Sequence, residues 1–152
     1  MDEEAPFFEL SDTKNFIRVT VLRKSYPDAA DNWDNNWVDA TIKVKAGPFT
    51  GTYNVQLRII DFQFFRKELR TIYDNLTGQA KFEDIDRYLS INMKGDGAGH
   101  FETYCILMFD PGAEEITLKF NLHPDQTQIM PIVRQLDNIL AVFPVIGGLR
   151  KG

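Results

Sequence analysis

Val38-Asp39-Ala40-Thr41-Ile42-Lys43-Val44-Lys45-Ala46-Gly47-Pro48-Phe49-Thr50-Gly51-Thr52-Tyr53-Asn54-Val55-Gln56-Leu57-Arg58-Ile59 is the stretch on which the fold reading turns. Val38, Ala40, Ile42 and Val44 alternate with Asp39, Thr41, Lys43 and Lys45, the period-two pattern of a strand with one buried face. Tyr53, Val55, Leu57 and Ile59 repeat it against Asn54, Gln56 and Arg58. Gly47-Pro48 and Gly51 between the runs predict a hairpin or short turn. Outward from this pair the same period recurs at Ile17, Val19 and Val21, at Leu89, Ile91 and Met93, and at Ile116, Leu118, Phe120 and Leu122. Phe7-Phe8-Glu9-Leu10 adds a short edge strand. The run from Phe101 to Phe109 is apolar on both faces, which predicts a central strand covered on both sides.

Two segments change to helical spacing. After Asp61, read as an N-cap, Phe62, Phe65, Leu69, Ile72, Tyr73 and Leu76 follow the three-and-four rhythm until Gly78, giving a helix over about 61–77. A second helix over about 127–143 turns Ile129, Val133, Leu136, Ile139, Leu140 and Phe143 inward, with Pro131 in its first turn and Pro144 closing it. Strands in antiparallel-looking runs, interrupted by one helix and ended by another, describe an α+β single domain. The expectation is one mostly antiparallel sheet of six to eight strands with both helices packed on it, a core over about 7–144 and a frayed tail over 147–152.

Composition narrows the function. The 152 residues carry 17 Lys+Arg and 22 Asp+Glu, a net charge of −5, with 43% hydrophobic and 26% charged residues. These values exclude disordered, collagenous and coiled-coil classes. An acidic chain lacks the basic face of a nucleic-acid binder. One cysteine makes no internal disulfide. Met1-Asp2-Glu3-Glu4 is acidic where a signal peptide is basic, and no apolar run approaches the roughly 20 residues that span a bilayer. The expectation is a cytoplasmic protein without a membrane or nucleic-acid partner.

Catalytic and cofactor signatures are wanting. Gly95-Asp96-Gly97-Ala98-Gly99-His100 invites comparison with a phosphate loop, but no Lys-Ser/Thr pair follows and a strand stands where a helix is needed, so a hairpin turn is the better reading. Cys105 lies mid-strand between Tyr104 and Ile106, the setting of a buried, inert thiol. His100 and His123 lack companions at metal-ligand spacing. Glu83, Asp84 and Asp86 form a polar loop with no legible acid–base pair. No catalytic residue, cofactor or metal ligand is assigned.

The most unusual stretch runs from Tyr26 to Asp39. It contains both tryptophans, Trp33 and Trp37, and the carboxylates Asp28, Asp31, Asp34 and Asp39, with no Lys or Arg between. Two readings stand side by side. An acidic loop carrying large amphipathic rings is the composition of a contact surface for a basic partner. Alternatively, the tryptophans pin the loop to the sheet through their indole N–H groups, and Asp34 and Asn35 make turns. A calcium loop is a poor fit, because Asp28, Asp31 and Asp34 are spaced by three residues.

Here the sequence resembles the WapI-type immunity proteins, a bacterial family. The resemblance rests on Phe8-Glu9-Leu10-Ser11-Asp12, Tyr26-Pro27-Asp28, Asp31-x-Trp33-Asp34-x-Asn36-Trp37, Lys43-Val44-Lys45-Ala46-Gly47-x-Phe49-x-Gly51, Gly95-Asp96-Gly97-x-Gly99-His100, Asp125-Gln126-Thr127 and Phe143-Pro144. It implies a non-enzymatic protein that stays in the cytoplasm and binds the C-terminal domain of a contact-delivered polymorphic toxin, in the named family a tRNA nuclease. The candidate partner-binding residues are Tyr26, Asp28, Asp31, Trp33, Asp34, Trp37 and Asp39. The competing expectations are an α+β binding or regulatory protein for another protein or a small ligand, and, third, an unrecognised enzyme using the carboxylates or His100.

Overall fold

The alternating runs become antiparallel strands, and the computed structural model, which describes residues 4–147, sorts them into two four-stranded sheets rather than one. β1 (Phe7–Ser11), β2 (Phe16–Lys24), β3 (Trp37–Ala46) and β4 (Phe49–Arg58) form the first in that order; β5 (Thr77–Glu83), β6 (Leu89–Asp96), β7 (Phe101–Phe109) and β8 (Ile116–Leu122) form the second. Every strand pair is antiparallel. Short α1 (Asn32–Asn35) lies between β2 and β3, α2 (Ile59–Asn75) joins the sheets, and a 3-10 turn over Gln126–Gln128 leads into α3 (Ile129–Val142). The α+β class and the strand count agree with the sequence reading. The division into two sheets escapes it, because alternation tells which face a residue takes and not which neighbour its strand pairs with. Of the expected tail, residues 148–152 lie outside the described residues.

Local chemistry sets the boundaries. Ala46 pairs with Phe49 across Gly47-Pro48, and Gly47 adopts φ 60°, the left-handed value that the first position of a two-residue hairpin turn requires. Asp61 is not the N-cap of α2. Arg58 holds that position in an extended conformation, and Asp61 sits buried in the first turn, where its Oδ1 accepts from Arg58 Nη2 at 3.0 Å. Nor does Gly78 end the helix. Leu76 does, with φ 62° and its N–H on the Ile72 carbonyl at 2.8 Å, while Gly78 already belongs to β5. At α3, Asp125 caps the preceding 3-10 turn by accepting from the Thr127 N–H at 2.9 Å, and Gln128 answers by accepting from the Asp125 N–H at 2.9 Å.

The core lies between the sheets around α2. Phe8 of β1, Phe62 and Phe65 of α2, and Phe82 of β5 are fully buried, and their rings meet at centroid distances of 5.2 to 5.8 Å. β7 departs from expectation. Phe101, Thr103, Cys105 and Leu107 are buried, but the other face is left open, with Tyr104 exposed and Ile106 and Met108 half-buried. It is an interior strand of its sheet covered on one side only.

Phe82 touches all three other rings, so Phe82→Ala is expected to destabilise the protein by about 3–5 kcal/mol in urea unfolding. A cost below about 1 kcal/mol would mean that the cluster does not join the sheets.

Candidate functional site

The Tyr26–Asp39 stretch is held in place mainly by its asparagines. Asp31 caps α1, its Oδ1 accepting from the Asp34 N–H at 2.7 Å. Asn35 Nδ2 donates to the Ala29 carbonyl at 2.6 Å. Asn36 Nδ2 donates to the carbonyls of Asn32 at 2.8 Å and Ile146 at 2.9 Å, and its Oδ1 accepts from the Ile146 N–H at 2.8 Å. The Asn36 carbonyl accepts from the Ile59 N–H at 2.7 Å, which ties the loop to the start of α2. Gly147 passes so close that a Cβ there would lie 2.4 Å from Asn32 Nδ2. The loop is therefore clamped between the first turn of α2 and the segment following α3.

On this frame the two indoles meet edge to face, with centroids 6.0 Å apart. Trp33 is 50% exposed, whereas Trp37 is half-buried. Behind Trp33 lies Arg58, its Cζ 5.3 Å from the ring centroid and its guanidinium paired with the buried carboxylate of Asp61. Arg58 Nη1 is buried with no hydrogen-bond partner among the described residues, so the electron-rich ring face offsets part of that deficit.

A β-bulge brings a second cation to the stretch. The register of β2 against β3 shifts between Val21 and Arg23, leaving Leu22 unpaired and setting Arg23 opposite Asp39. Arg23 Nε then lies 3.3 Å from Asp39 Oδ2, and Asp39 Oδ1 accepts from Ser25 Oγ at 2.6 Å. The loop has no basic residue along the chain, yet in space Arg23 and Arg58 both reach it. Neither the bulge nor the stacked arginine leaves a signature in sequence alternation.

The candidate residues consequently separate. Asp39 is paired, Asp31 caps α1 and Trp37 leans inward. Tyr26, Asp28 and Trp33 face solvent, and Asp34 is half-buried. Among the described residues Asp28, Asp31 and Asp34 form no ion pair.

The other candidate sites have structural explanations. The N–H groups of Ala98 and His100 donate to Asp96 Oδ1 at 2.7 and 3.2 Å, and the Gly97 N–H donates to the Leu76 carbonyl at 2.9 Å. A phosphate would find these donors already engaged. The Ala98 and His100 N–H groups also hold the Asp96 carboxyl below the usual range. His100 is exposed beside Asp96, and the exposed His123 donates its backbone N–H to Asp12 Oδ2 at 3.3 Å. Asp84 is buried; burial pushes its pKa up, while N–H bonds from Leu89 at 2.9 Å and Tyr88 at 3.1 Å oppose the shift and shape the β5–β6 turn. Its neighbours Glu83 and Asp86 are exposed. Among the described residues no group of three or more His, Cys, Asp and Glu is placed to hold a metal.

Cys105 is fully buried, and burial first, then the Asp12 charge, pushes its thiol up to about 12. Reaction with a disulfide reagent at pH 8 should be about a thousandfold slower in the native protein than in denaturant, because almost no thiolate forms. The folded pKa is raised, so this group's stabilising contribution is full below the ordinary thiol range and is lost as pH climbs above it. Asn36→Ala is expected to cost about 1–3 kcal/mol and to raise amide exchange at Ile146, whose N–H loses its acceptor. Unchanged protection there would contradict the clamp.

The model of the immunity protein WapI-like family matches residues 7–144, from the first residue of β1 to just beyond α3. No curated protein matches the chain. Among solved structures it is similar to trypanosome MRP1/MRP2, with a TM-score of 0.50 and 13% identity over 92% of this chain and 86% of that one. It is also similar to the plant transcriptional regulator PBF-2, with a TM-score of 0.47 and 10% identity over 94% and 84%. At 13% identity the first likeness concerns the fold alone. The family match spans both sheets, α2 and the clamped loop: the chain belongs to the WapI-like immunity protein family, and this membership implies a role in toxin immunity.

Proposed function

We propose that the protein is a non-enzymatic immunity factor that binds a cognate, contact-delivered toxin domain in the cytoplasm, with the Tyr26–Asp39 face as its contact surface. The observation that carries the choice of surface is Trp33, half exposed on a loop clamped from two sides, in a stretch where Asp28, Asp31 and Asp34 form no ion pair among the described residues. A large aromatic side chain already fixed in place loses little freedom on binding, which is what an interface anchor requires. Unpaired carboxylates along the stretch draw in a positively charged partner. A nuclease is the toxin class that fits this charge, because its substrate groove must attract phosphates; the tRNA nuclease of the named family is one such case. In this reading the carboxylates occupy positions that phosphates would take, and the toxin is silenced by occupation rather than by chemistry.

The gene is expected to adjoin one for a large secreted protein with a C-terminal toxin domain, and coexpression with that domain is the direct test. Rescue of growth and a co-purifying complex are expected; failure of both would overturn the reading. In that complex the triple change Asp28→Asn, Asp31→Asn and Asp34→Asn should lower the association rate by about tenfold at low salt, with the difference closing at high salt. Asparagine still caps a helix, so the variant keeps α1. Trp33→Ala should instead raise the dissociation rate, weakening affinity by roughly 30-fold or more.

A further inference from the structure

Exposed apolar side chains gather at the end of the first sheet farthest from Trp33. Phe49 is 64% exposed, Phe109 50% and Ile116 65%. With Val44, Tyr53 and Leu118 they line a single groove of about 440 Å³ between the two sheets. Tyr53 fixes its width: the ring meets Phe109 edge to face at 6.0 Å, and the hydroxyl donates to the Tyr88 carbonyl at 2.8 Å. A contiguous apolar patch framed by polar groups is characteristic of an interaction site.

Two further features define what fits. β4 and β8 are outer strands, each hydrogen-bonded to a neighbour on one side only. Such edges are ordinarily blunted by lysine, proline or a bulge; β8 carries the exposed Lys119, but Phe49 to Leu57 of β4 carries none of these. The rim is acidic: Asp110, Glu114 and Glu115 are exposed in the β7–β8 connection beside Phe109 and Ile116, and no Lys or Arg occurs from Asp110 to Leu118. Lys43 and Lys45 flank Val44 along β3 but alternate to the opposite face, where Lys45 Nζ donates to the Lys14 carbonyl at 3.0 Å.

We infer that this groove is a second protein-docking surface, whose occupant is an extended segment with apolar anchors flanked by lysine or arginine. The anchors fill the space over Tyr53, the flanking cations meet the acidic rim, and the segment's main chain has the open edge of β4 to pair with. A second copy of this chain is the wrong occupant, since at net charge −5 it brings its own acids to that rim. The surface is separate from the Trp33 loop, because Trp37 and Val44 stand about 23 Å apart along β3 at the rise of a strand. The inference therefore goes beyond the toxin reading and does not need it.

The test is an amide-shift titration of the full chain with a short peptide alternating lysine with phenylalanine, valine and isoleucine. Two control peptides carry glutamate for lysine, or serine for the apolar residues. Saturable shifts confined to residues 49–53 and 107–118, with the first peptide alone, are the expected result. Glu114→Gln with Glu115→Gln should weaken binding by about fivefold, and Ile116→Lys should abolish it. Phe49→Ser serves as the second apolar variant if Ile116→Lys disturbs the spectrum elsewhere. No saturation by about 1 mM peptide, equal binding of the glutamate control, or shifts at residues 26–39 would overturn the proposal. A dimer in sedimentation that Ile116→Lys dissociates would overturn it too, by giving the groove to a second copy.

Discussion

No strand of one sheet pairs with a strand of the other, so the two halves of this fold are joined by side chains and by the chain itself. The joint is the cluster of Phe8, Phe62, Phe65 and Phe82. Two of its rings come from α2, and α2 starts directly after β4 and ends within two residues of β5. The covalent crossing and the ring contact therefore coincide. Three of the five ring pairs meet edge to face, a geometry that fixes relative orientation as well as contact, which a junction of aliphatic chains does less sharply. Once α2 is set against both sheets, its first turn is set too, and the Tyr26–Asp39 loop is built upon that turn.

Arg58 is where the joint and the surface meet. It is the last residue of β4, the N-cap of α2, the partner of Asp61 and the support of Trp33. A buried ion pair adds little net stability, but removing one member strands the other, so such a pair specifies geometry more than it strengthens the fold. Asp61 also lies in the first turn of α2, where a carboxylate is favoured by the helix dipole. The guanidinium is thereby held in one orientation, and the indole resting on it shares that constraint. Trp33 is held by Arg58 behind it and by the edge-to-face contact with Trp37, and is still half exposed.

Period-two alternation located five of the eight strands, and the apolar runs at Phe7–Leu10 and Phe101–Phe109 marked two more. It missed β5, in which Ala80 and Phe82 are the buried positions among exposed Thr77, Gly78, Gln79, Lys81 and Glu83. Two apolar residues are too few to register as a period. Phe101 to Phe109 misled in the opposite sense, since Tyr104, Ile106 and Met108 are apolar yet lie on the open face of the second sheet. Around α2 the strongest local signals, an aspartate before an apolar run and a glycine after it, both pointed a few residues astray. Tertiary demands took precedence: Asp61 is needed inside to answer Arg58, and Leu76 turns left-handed to deliver the chain into β5. The site was legible as a stretch of sequence and not as an arrangement. Nothing local announces that Arg23 will face Asp39 after a bulge, or that Asn36 will grip Ile146 from 110 positions away.

The Asp31-x-Trp33-Asp34-x-Asn36-Trp37 pattern that carries the family resemblance thus divides by role. Asp31 caps α1, Asn36 clamps the loop and Trp37 packs beneath Trp33. These residues make the platform, so their part in the resemblance reports on the fold. What the platform presents is Trp33, together with the exposed Tyr26 and Asp28. The presented side chains can be altered at little cost in stability, since surface substitutions generally shift it by less than about 0.5 kcal/mol. Altering the clamp costs several times that and moves every presented group at once. Under the proposed function, partner choice is confined to the solvent-facing positions of a loop whose shape is set from beneath.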